Sequence, residues 1–465
     1  MLCSTLEPGG GQAGSGSEEA DSMAAMTRRT AVALASTLAS VPALAACEAF
    51  GSAGTAPKKR GPAKLAFWVY GGGGPIGDII FKATAEEYQQ KVPDTTIEYA
   101  SIPSGTIQDK VLVSWTSDTV PDIVMDSWRG FLRFMDSGFF LDLSKEFAGR
   151  KYKPADYYET PLKAYQIDGK QMGMPQGWGT SLYGLNLDIF ENAGVRLPPG
   201  FDETWTQDDC VRMLKQIVKF EPDGKQATPC GADDGIFFHW LWSHGGDFLN
   251  ADKTKAATTT PEALAAAEWY AKVHTGDRVF MRDGIDKRGG VGFNMGNQAI
   301  QGNGIPNSLP DWNKFTFRVN VFQRPRVATR PGAGGRINRT YIDGYLLFNG
   351  SKYRDATVDF LFWLLDDGAA SIERQGGVNI PAYKKVAETV FLAGSSPFNK
   401  KKWLDAAAST RTDPAHAKWI PDLQAAYNKY TAQLRTGQAG PREAMQGLAA
   451  EIDAVLDEYR RQRGR

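Results

Sequence analysis

Lys64-Leu65-Ala66-Phe67-Trp68-Val69-Tyr70, stopped by Gly71-Gly72-Gly73-Gly74-Pro75, is the stretch that decides the fold. A run rich in branched and aromatic side chains that ends on glycines reads as a buried strand. The next segment is helical in pattern. Between Asp78 and Gln90, the residues Ile80, Phe81, Ala83, Ala85 and Tyr88 can share an inner helix face. Pro93-Asp94 turns the chain, and Thr96 to Ala100 reads as a second strand. Thr106 to Ser117 is a second helix with Ile107, Val111 and Trp115 on one face, and Pro121 to Met125 a third strand. Strands alternating with helices predict a doubly wound α/β sheet. Ligands of such sheets sit beyond the carboxyl ends of the strands, which singles out Tyr70 to Gly74 and Asp126 to Arg129.

Farther along, Asp168-Gly169 reads as a hairpin turn between Tyr165-Gln166-Ile167 and Gln171-Met172-Gly173. Thr260-Pro261-Glu262 opens a helix through Val273, with Thr as cap and Pro in the first position. From Pro441 to Tyr459, the residues Met445, Leu448, Ile452, Val455 and Tyr459 recur at three- and four-residue steps, so this helix packs on something.

The amino terminus carries an address. Arg28-Arg29 precede an apolar run from Thr30 to Ala46, which closes on Leu44-Ala45-Ala46-Cys47. A basic start, an apolar stretch and small residues at the cut make a secretory signal. The run is short for a membrane span, which needs about 20 residues. A cysteine after the small residues resembles the bacterial lipobox, which implies cleavage before Cys47 and a lipid on its thiol. The competing readings are a plain secretory signal with an incidental cysteine, or a short membrane anchor. Residues 1–25 hold Glu18, Glu19 and Asp21, the wrong charge for a signal start, so translation is expected from Met26 or Met23. The arginine pair leaves both the general and the twin-arginine export routes open. Glu48 to Pro62, with Lys58-Lys59-Arg60, reads as a flexible tether.

Basic and acidic residues balance at 53 each, so no basic stripe for nucleic acid is expected. With Cys3 in the leader and Cys47 taken by lipid, Cys210 and Cys230 remain. They are either a disulfide, as an oxidising compartment permits, or two buried thiols. His239, His244, His274 and His416 form no ligand cluster in the sequence. Neither a metal nor a cofactor is expected.

Several segments together resemble the extracellular solute-binding proteins of ABC importers, the large sugar-binding family 1 type. Lys64 to Trp68 is similar to the family's first strand, and Pro121-Asp122-Ile123-Val124 to its "PDVV" strand, followed by Asp136-Ser137-Gly138. Asp168-Gly169-Lys170-Gln171-Met172-Gly173-Met174-Pro175 resembles its "DGKxYGxP" turn. Leu182 to Phe190 resembles "LYYNKDLF", continued by Asn192-Ala193-Gly194-Val195, and Thr204-Trp205-Thr206-Gln207 resembles "TWDE". Phe293 to Ile300 resembles "FxxGxxAM", and Asp343-Gly344-Tyr345 with Gly350-Ser351-Lys352 resembles "GGY…GSK". Asp343 stands where the family usually has Gly, and Gly184 where it has an aromatic residue.

The resemblance implies a two-lobed periplasmic-binding-protein-like α/β fold, each lobe a doubly wound sheet, with the ligand cleft between lobes. Crossings are expected near Pro175 to Thr180, near Phe322 to Ala328 and near Ile380. Residues 1–46 are then leader and signal, and 47–61 the lipidated tether. Residues 62–177 with 326–379 form one lobe, and 178–325 with 380–465 the other. The implied function is capture of a sugar or oligosaccharide and its delivery to the permease subunits of an importer. The protein would be monomeric, exported and lipid-anchored on the outer face of the cytoplasmic membrane. A secreted glycoside-active enzyme and a surface adhesion protein are the alternatives.

Sugar clefts need aromatic faces for pyranose C–H surfaces and polar side chains for hydroxyls. The loops that the family places at the cleft give Tyr70, Gly72, Asp126, Trp128, Arg129, Gln176, Trp178, Asp233, Asp234, Phe237, Asn303, Ile305, Tyr341 and Asp343. Trp128 and Trp178 stand out because they sit in polar, Gly-flanked segments. Trp68, Trp115 and Trp363 read as core, Asp122 as a cap, and Trp240 and Trp242 as either core or cleft. Arg318, Arg324, Arg326, Arg330, Arg336 and Arg339 read as a solvated surface in preference to a site for an anionic ligand. No G-x-S-x-G elbow, P-loop or H-E-x-x-H is present, and no catalytic residue is assigned.

Overall fold

Two sheets organise the computed structural model, which describes residues 61–462 except 72–73, 104, 135–136, 151, 283, 331–334, 377–378, 394–397 and 417–421. The signal, Cys47, the tether as far as Arg60, and Gly72 lie outside the described residues. The strands are β1 (Ala63–Tyr70), β2 (Thr95–Ile102), β3 (Ile123–Ser127), β4 (Gln166–Ile167), β5 (Lys170–Gln171), β6 (Met174–Thr180) and β7 (Leu182–Asn186). They continue with β8 (Cys230–Asp233), β9 (Gln298–Gly304), β10 (Val319–Phe322), β11 (Asn338–Leu347), β12 (Ile380–Pro381) and β13 (Thr410–Arg411).

β1 buries every second residue, Ala63, Leu65, Phe67 and Val69. It runs parallel to β2 on one side and to β3 on the other. The intervening Gly74–Lys91 helix covers the sheet with Ile80, Phe81, Ala85 and Tyr88, and the Ile107–Thr116 helix with Ile107 and Val111. Asp122 locks the start of β3: one oxygen accepts the Ala66 N–H (2.8 Å) and the other the Ser351 hydroxyl (2.5 Å). The sheet is mixed. β11 enters between β3 and β6 and runs antiparallel to both, giving the order β12-β6-β11-β3-β1-β2 with β13 on β11. The second sheet, β10-β7-β9-β8, is also mixed, with only the β8–β9 pair parallel.

A single residue, Ser181, separates β6 of the first sheet from β7 of the second. The return passes from β10 to β11. The third link leaves later than Ile380. β12 still pairs with β6, and Lys384 still reaches the Ala155 carbonyl (2.8 Å). Contact with the second sheet begins where the Phe398 ring meets Trp312 (5.5 Å) and the Trp403 indole donates to Gly304 O (2.9 Å). The chain touches back through β13, and the Gln424–Thr436 and Pro441–Gln462 helices then pack on the Pro261–Ala271 helix. That last helix starts where the sequence places it, with the Thr260 hydroxyl accepting the Ala263 N–H (3.3 Å). Asp168 and Gly169 turn β4 into β5 with positive φ, 48° and 77°.

Cys210 and Cys230 are free thiols, which settles the sequence alternative against a disulfide. Both are buried in separate surroundings. Cys210 lies beside Asp234 and Arg324, and the Cys230 thiol points at the Ala227 carbonyl (3.5 Å). Burial pushes both thiols above the ordinary range. Gly184, which departs from the family's aromatic residue, makes room for the Trp312 ring, 2.6 Å from where its Cβ would lie.

Candidate functional site

At the carboxyl ends of β1 and β3, two side chains distant in sequence meet on one carboxylate, that of Asp343. Tyr70, the last residue of β1, donates its hydroxyl to Asp343 Oδ1 (2.6 Å). Asn379, just before β12, donates Nδ2 to Asp343 Oδ2 (2.5 Å). Asp343 is brought there by register, because β11 sets it opposite Ser127 of β3 and Gly177 of β6. Beside it, the buried Asp126 takes Gln108 Nε2 on one oxygen (2.8 Å) and the Ser127 N–H on the other (2.7 Å). Gly130 is required here: a Cβ at that position would lie 2.1 Å from Asp126 Oδ2. Burial pushes Asp343 up to about 6. Burial, with the charge of Asp343 adding to it, pushes Asp126 up to about 7. The Tyr70 hydroxyl is raised well above its ordinary value by burial and by Asp343.

A second polar group joins the two sheets. Ser181 donates its hydroxyl to Asn303 Oδ1 (2.5 Å), and Tyr341 Oη reaches the same oxygen at 3.5 Å. Asn303 is exposed, and Tyr341 and Ile305 are half-buried. Asn303 lies within β9, not in the loop the sequence suggests, and Tyr341 within β11.

A third contact is ionic. Arg339 of β11 grips Asp413 through Nε and Nη2 (2.5 and 2.6 Å). Arg129, on the Trp128–Leu132 helix, places Nε 3.2 Å from the same carboxylate and also donates to the Gln424 side chain. Burial and the neighbouring Arg339 charge lower Arg129, and Asp413 overcomes the burial of Arg339 and raises it.

Other sequence candidates sit elsewhere. Trp128 is a correction: it opens a helix, is 3 % exposed and donates its indole N–H to the Ala164 carbonyl (2.6 Å). Trp178 is another. It is fully buried in the middle of β6 against Tyr158 (5.0 Å), opposite Ile342 and Ile380. Neither ring has a face free for a ligand in this arrangement. Gln176 is buried, with its backbone carbonyl accepting from Ala382 (3.2 Å). Phe237 is buried against Tyr270 and Phe248. Asp233 is half-buried and pairs with Lys287 (2.6 Å). Asp234 lies in the core of the second sheet, taking the Tyr183 hydroxyl (2.8 Å) and the Arg324 guanidinium on one oxygen. That guanidinium lies over the Tyr183 and Trp240 rings (4.5 and 5.2 Å). Trp240 packs on Trp269 (4.1 Å), and Trp242 is buried too, so both belong to the core.

The arginine run is likewise corrected, since Arg324 and Arg339 are buried ion-pair members and not a solvated face. Arg318 alone fits that reading well, exposed and paired with Asp188 and Glu191. Sequence reasoning missed Ser181, Asn379 and Gln108. Each reaches the site through a pairing or a helix start distant in sequence. The signal that could have found Ser181 is its place directly between two strands of different sheets. Among the described residues no group of three or more His, Cys, Asp or Glu could hold a metal ion, and no helix is long and apolar enough to cross a membrane.

Residues 83–408 match the family described as bacterial extracellular solute-binding protein. A Brucella abortus relative labelled only as a binding protein is 24% identical over 397 residues, covering 81% of this chain and 89% of its own. The lactose-binding protein of Rhizobium radiobacter is 28% identical over 204 residues, 42% of this chain and 45% of that one. Among solved structures, the cyclic alpha-maltosyl-1,6-maltose binding protein of Arthrobacter globiformis matches with a TM-score of 0.71 at 22% identity, covering 86% of this chain and 100% of that one. The two mixed sheets joined through Ser181 are the two lobes of that shared fold. The chain belongs to the family of bacterial extracellular solute-binding proteins.

Proposed function

We propose that this protein is the extracytoplasmic receptor of an ABC importer and that it captures a neutral mono- or oligosaccharide. The observation that carries the reading is the row of hydrogen-bonding groups Tyr70, Asp343, Asn379, Ser181, Asn303 and Tyr341. They stand on or beside strands of both sheets, with Asn303 exposed and Asp343 and Tyr341 half-buried. Hydroxyl-rich ligands are read by such groups, with the charged acceptor the stronger. Relatives named for lactose and for arabinooligosaccharides support the substrate class. Asp126, Arg129, Ile305 and Asp233 flank this row in our reading, and Gln176, Trp128, Trp178, Asp234 and Phe237 hold its walls. The two lobes close by a hinge at their crossings. The receptor carries out no catalysis, needs no cofactor, works as a monomer and hands its ligand to permease subunits. Cys47 carries the lipid that holds it on the outer face of the cytoplasmic membrane, and Cys47→Ala releases it from membranes.

The test is a thermal melt against a panel of sugars. A ligand at 100-fold over Kd that binds only the folded state adds about 2.7 kcal/mol. No shift with any sugar, alongside a shift with some other solute, overturns the substrate class. Release of reducing sugar from oligosaccharides would overturn the non-catalytic reading.

A further inference from the structure

A cavity of about 440 Å³ is lined by Arg326, Arg336, Lys402, Gln323, Glu203 and Ser409 among others, and by none of the residues read from the sequence as ligand-binding. Its charges are unevenly satisfied. Lys402 is spent, with its ammonium between both oxygens of the buried Asp202 (2.8 and 2.7 Å). Arg326 and Arg336 have no carboxylate partner among the described residues. Arg326 directs Nη2 only at the Glu203 backbone carbonyl. Arg336 directs Nη2 at the carbonyls of Asp202 (2.7 Å) and Glu203 (3.4 Å). The Nε–H of each is buried without a partner among the described residues. The carboxylates nearby act only at a distance: Asp202 and Glu203 offset part of the Arg336 charge without a direct ion pair, Glu203 is exposed, and Asp405 is engaged by Lys401. Two guanidinium groups thus share one hollow. Burial, and next the charge of Arg326, push Arg336 down to about 10.

An N–H sealed from water without an acceptor is costly, and the planar donor fork of a half-buried guanidinium fits carboxylate and phosphate oxygens. We propose that this cavity binds a small oxyanion, a phosphate, a sulfate or the carboxylate of an acidic sugar, held by Arg326 and Arg336 with the Ser409 hydroxyl beside them. Arg326 follows β10, Arg336 precedes β11, and Lys402 and Ser409 lie on the last link before β13. The site is therefore built on the segments that connect the two lobes.

The experiment titrates sodium phosphate into the full mature protein without sugar, by calorimetry and thermal melting, with ionic strength held constant by sodium chloride. Sulfate and glucuronate form parallel arms. The expected result is a saturable rise in Tm, with affinity at least tenfold weaker in Arg326→Gln and in Arg336→Gln. Ser409→Asp, which puts a carboxylate into the hollow, abolishes it, and Arg318→Gln on the outer surface leaves it unchanged. Preference for phosphate and sulfate assigns a free inorganic oxyanion, and preference for glucuronate an acidic carbohydrate. Should the glutamine variants fail to fold, Ser409→Asp and Arg326→Lys carry the comparison. No rise beyond that of chloride, or equal phosphate binding in wild type and Ser409→Asp, overturns the proposal.

Discussion

Asp343 and Asp234 begin alike and end as opposites. Each accepts a tyrosine hydroxyl, from Tyr70 at 2.6 Å and from Tyr183 at 2.8 Å. Asp343 takes its second bond from a neutral amide, keeps part of its surface open and sits where strands of the first lobe end. Asp234 is sealed, takes its second bond from a guanidinium and has aromatic rings around that partner. A carboxylate matched by a buried cation is committed to the fold, because either partner alone would be an uncompensated charge. A carboxylate held by neutral donors remains available to a ligand.

Arg324→Met attacks the committed side. It strands Asp234 and should lower the unfolding free energy by about 3–5 kcal/mol in urea denaturation. A loss too small to measure would move Arg324 into the ligand site and erase the contrast. Close behind, Trp178→Ala should cost about 3–5 kcal/mol, as buried aromatic truncations do. If that variant melts normally and loses only sugar affinity, the β6 tryptophan faces ligand after all. On the available side, Asp343→Asn should weaken sugar binding at least tenfold, about 1.4 kcal/mol, with little change in Tm. Calorimetry that finds unaltered affinity would remove Asp343 from the site.

The pH dependence is smaller and has a fixed sign. Asp343 and Asp126 titrate in the fold at about 6 and about 7, above the ordinary aspartate range. A raised carboxyl stabilises the fold fully below its unfolded pKa of about 4, and that stabilisation is lost as pH rises through the folded value. Wild-type Tm, measured against the Asp126→Asn/Asp343→Asn double variant, should therefore fall between about pH 4 and about pH 7. A rise over that window would show both groups paired with cations. The smallest effect is none: reductant should leave Tm unmoved, since Cys210 and Cys230 are thiols already.

Much of the first lobe is legible locally. The strand–helix order through β3, the Asp168-Gly169 turn and the Thr260 cap each arise from residues a few positions apart. Long-range pairing is the part that escapes. Nothing near Asn338 says that β11 runs antiparallel between β3 and β6, and Asp343 reaches Tyr70 only because it does. The tryptophans mislead for a related reason. Glycines beside Trp178 suggest an open loop, yet Gly177 is there for close approach, its Cβ position lying 2.8 Å from Asn379 Cβ. The arginines look solvated because the partners of two of them, Asp234 and Asp413, are 90 and 74 residues away in sequence.

The place of β11 also sets an order of events during synthesis. It fills the gap between β3 and β6, yet is made only after every strand of the second sheet. Until Asn338–Leu347 emerges from the ribosome, β3 and β6 each present an unpaired edge, and such edges recruit other chains. A nascent or truncated polypeptide ending before Asn338 thus lacks the strand that covers those edges in the finished fold. The first lobe, although it starts earliest, must finish late, and its assembly is governed by loop closure across the whole length of its neighbour.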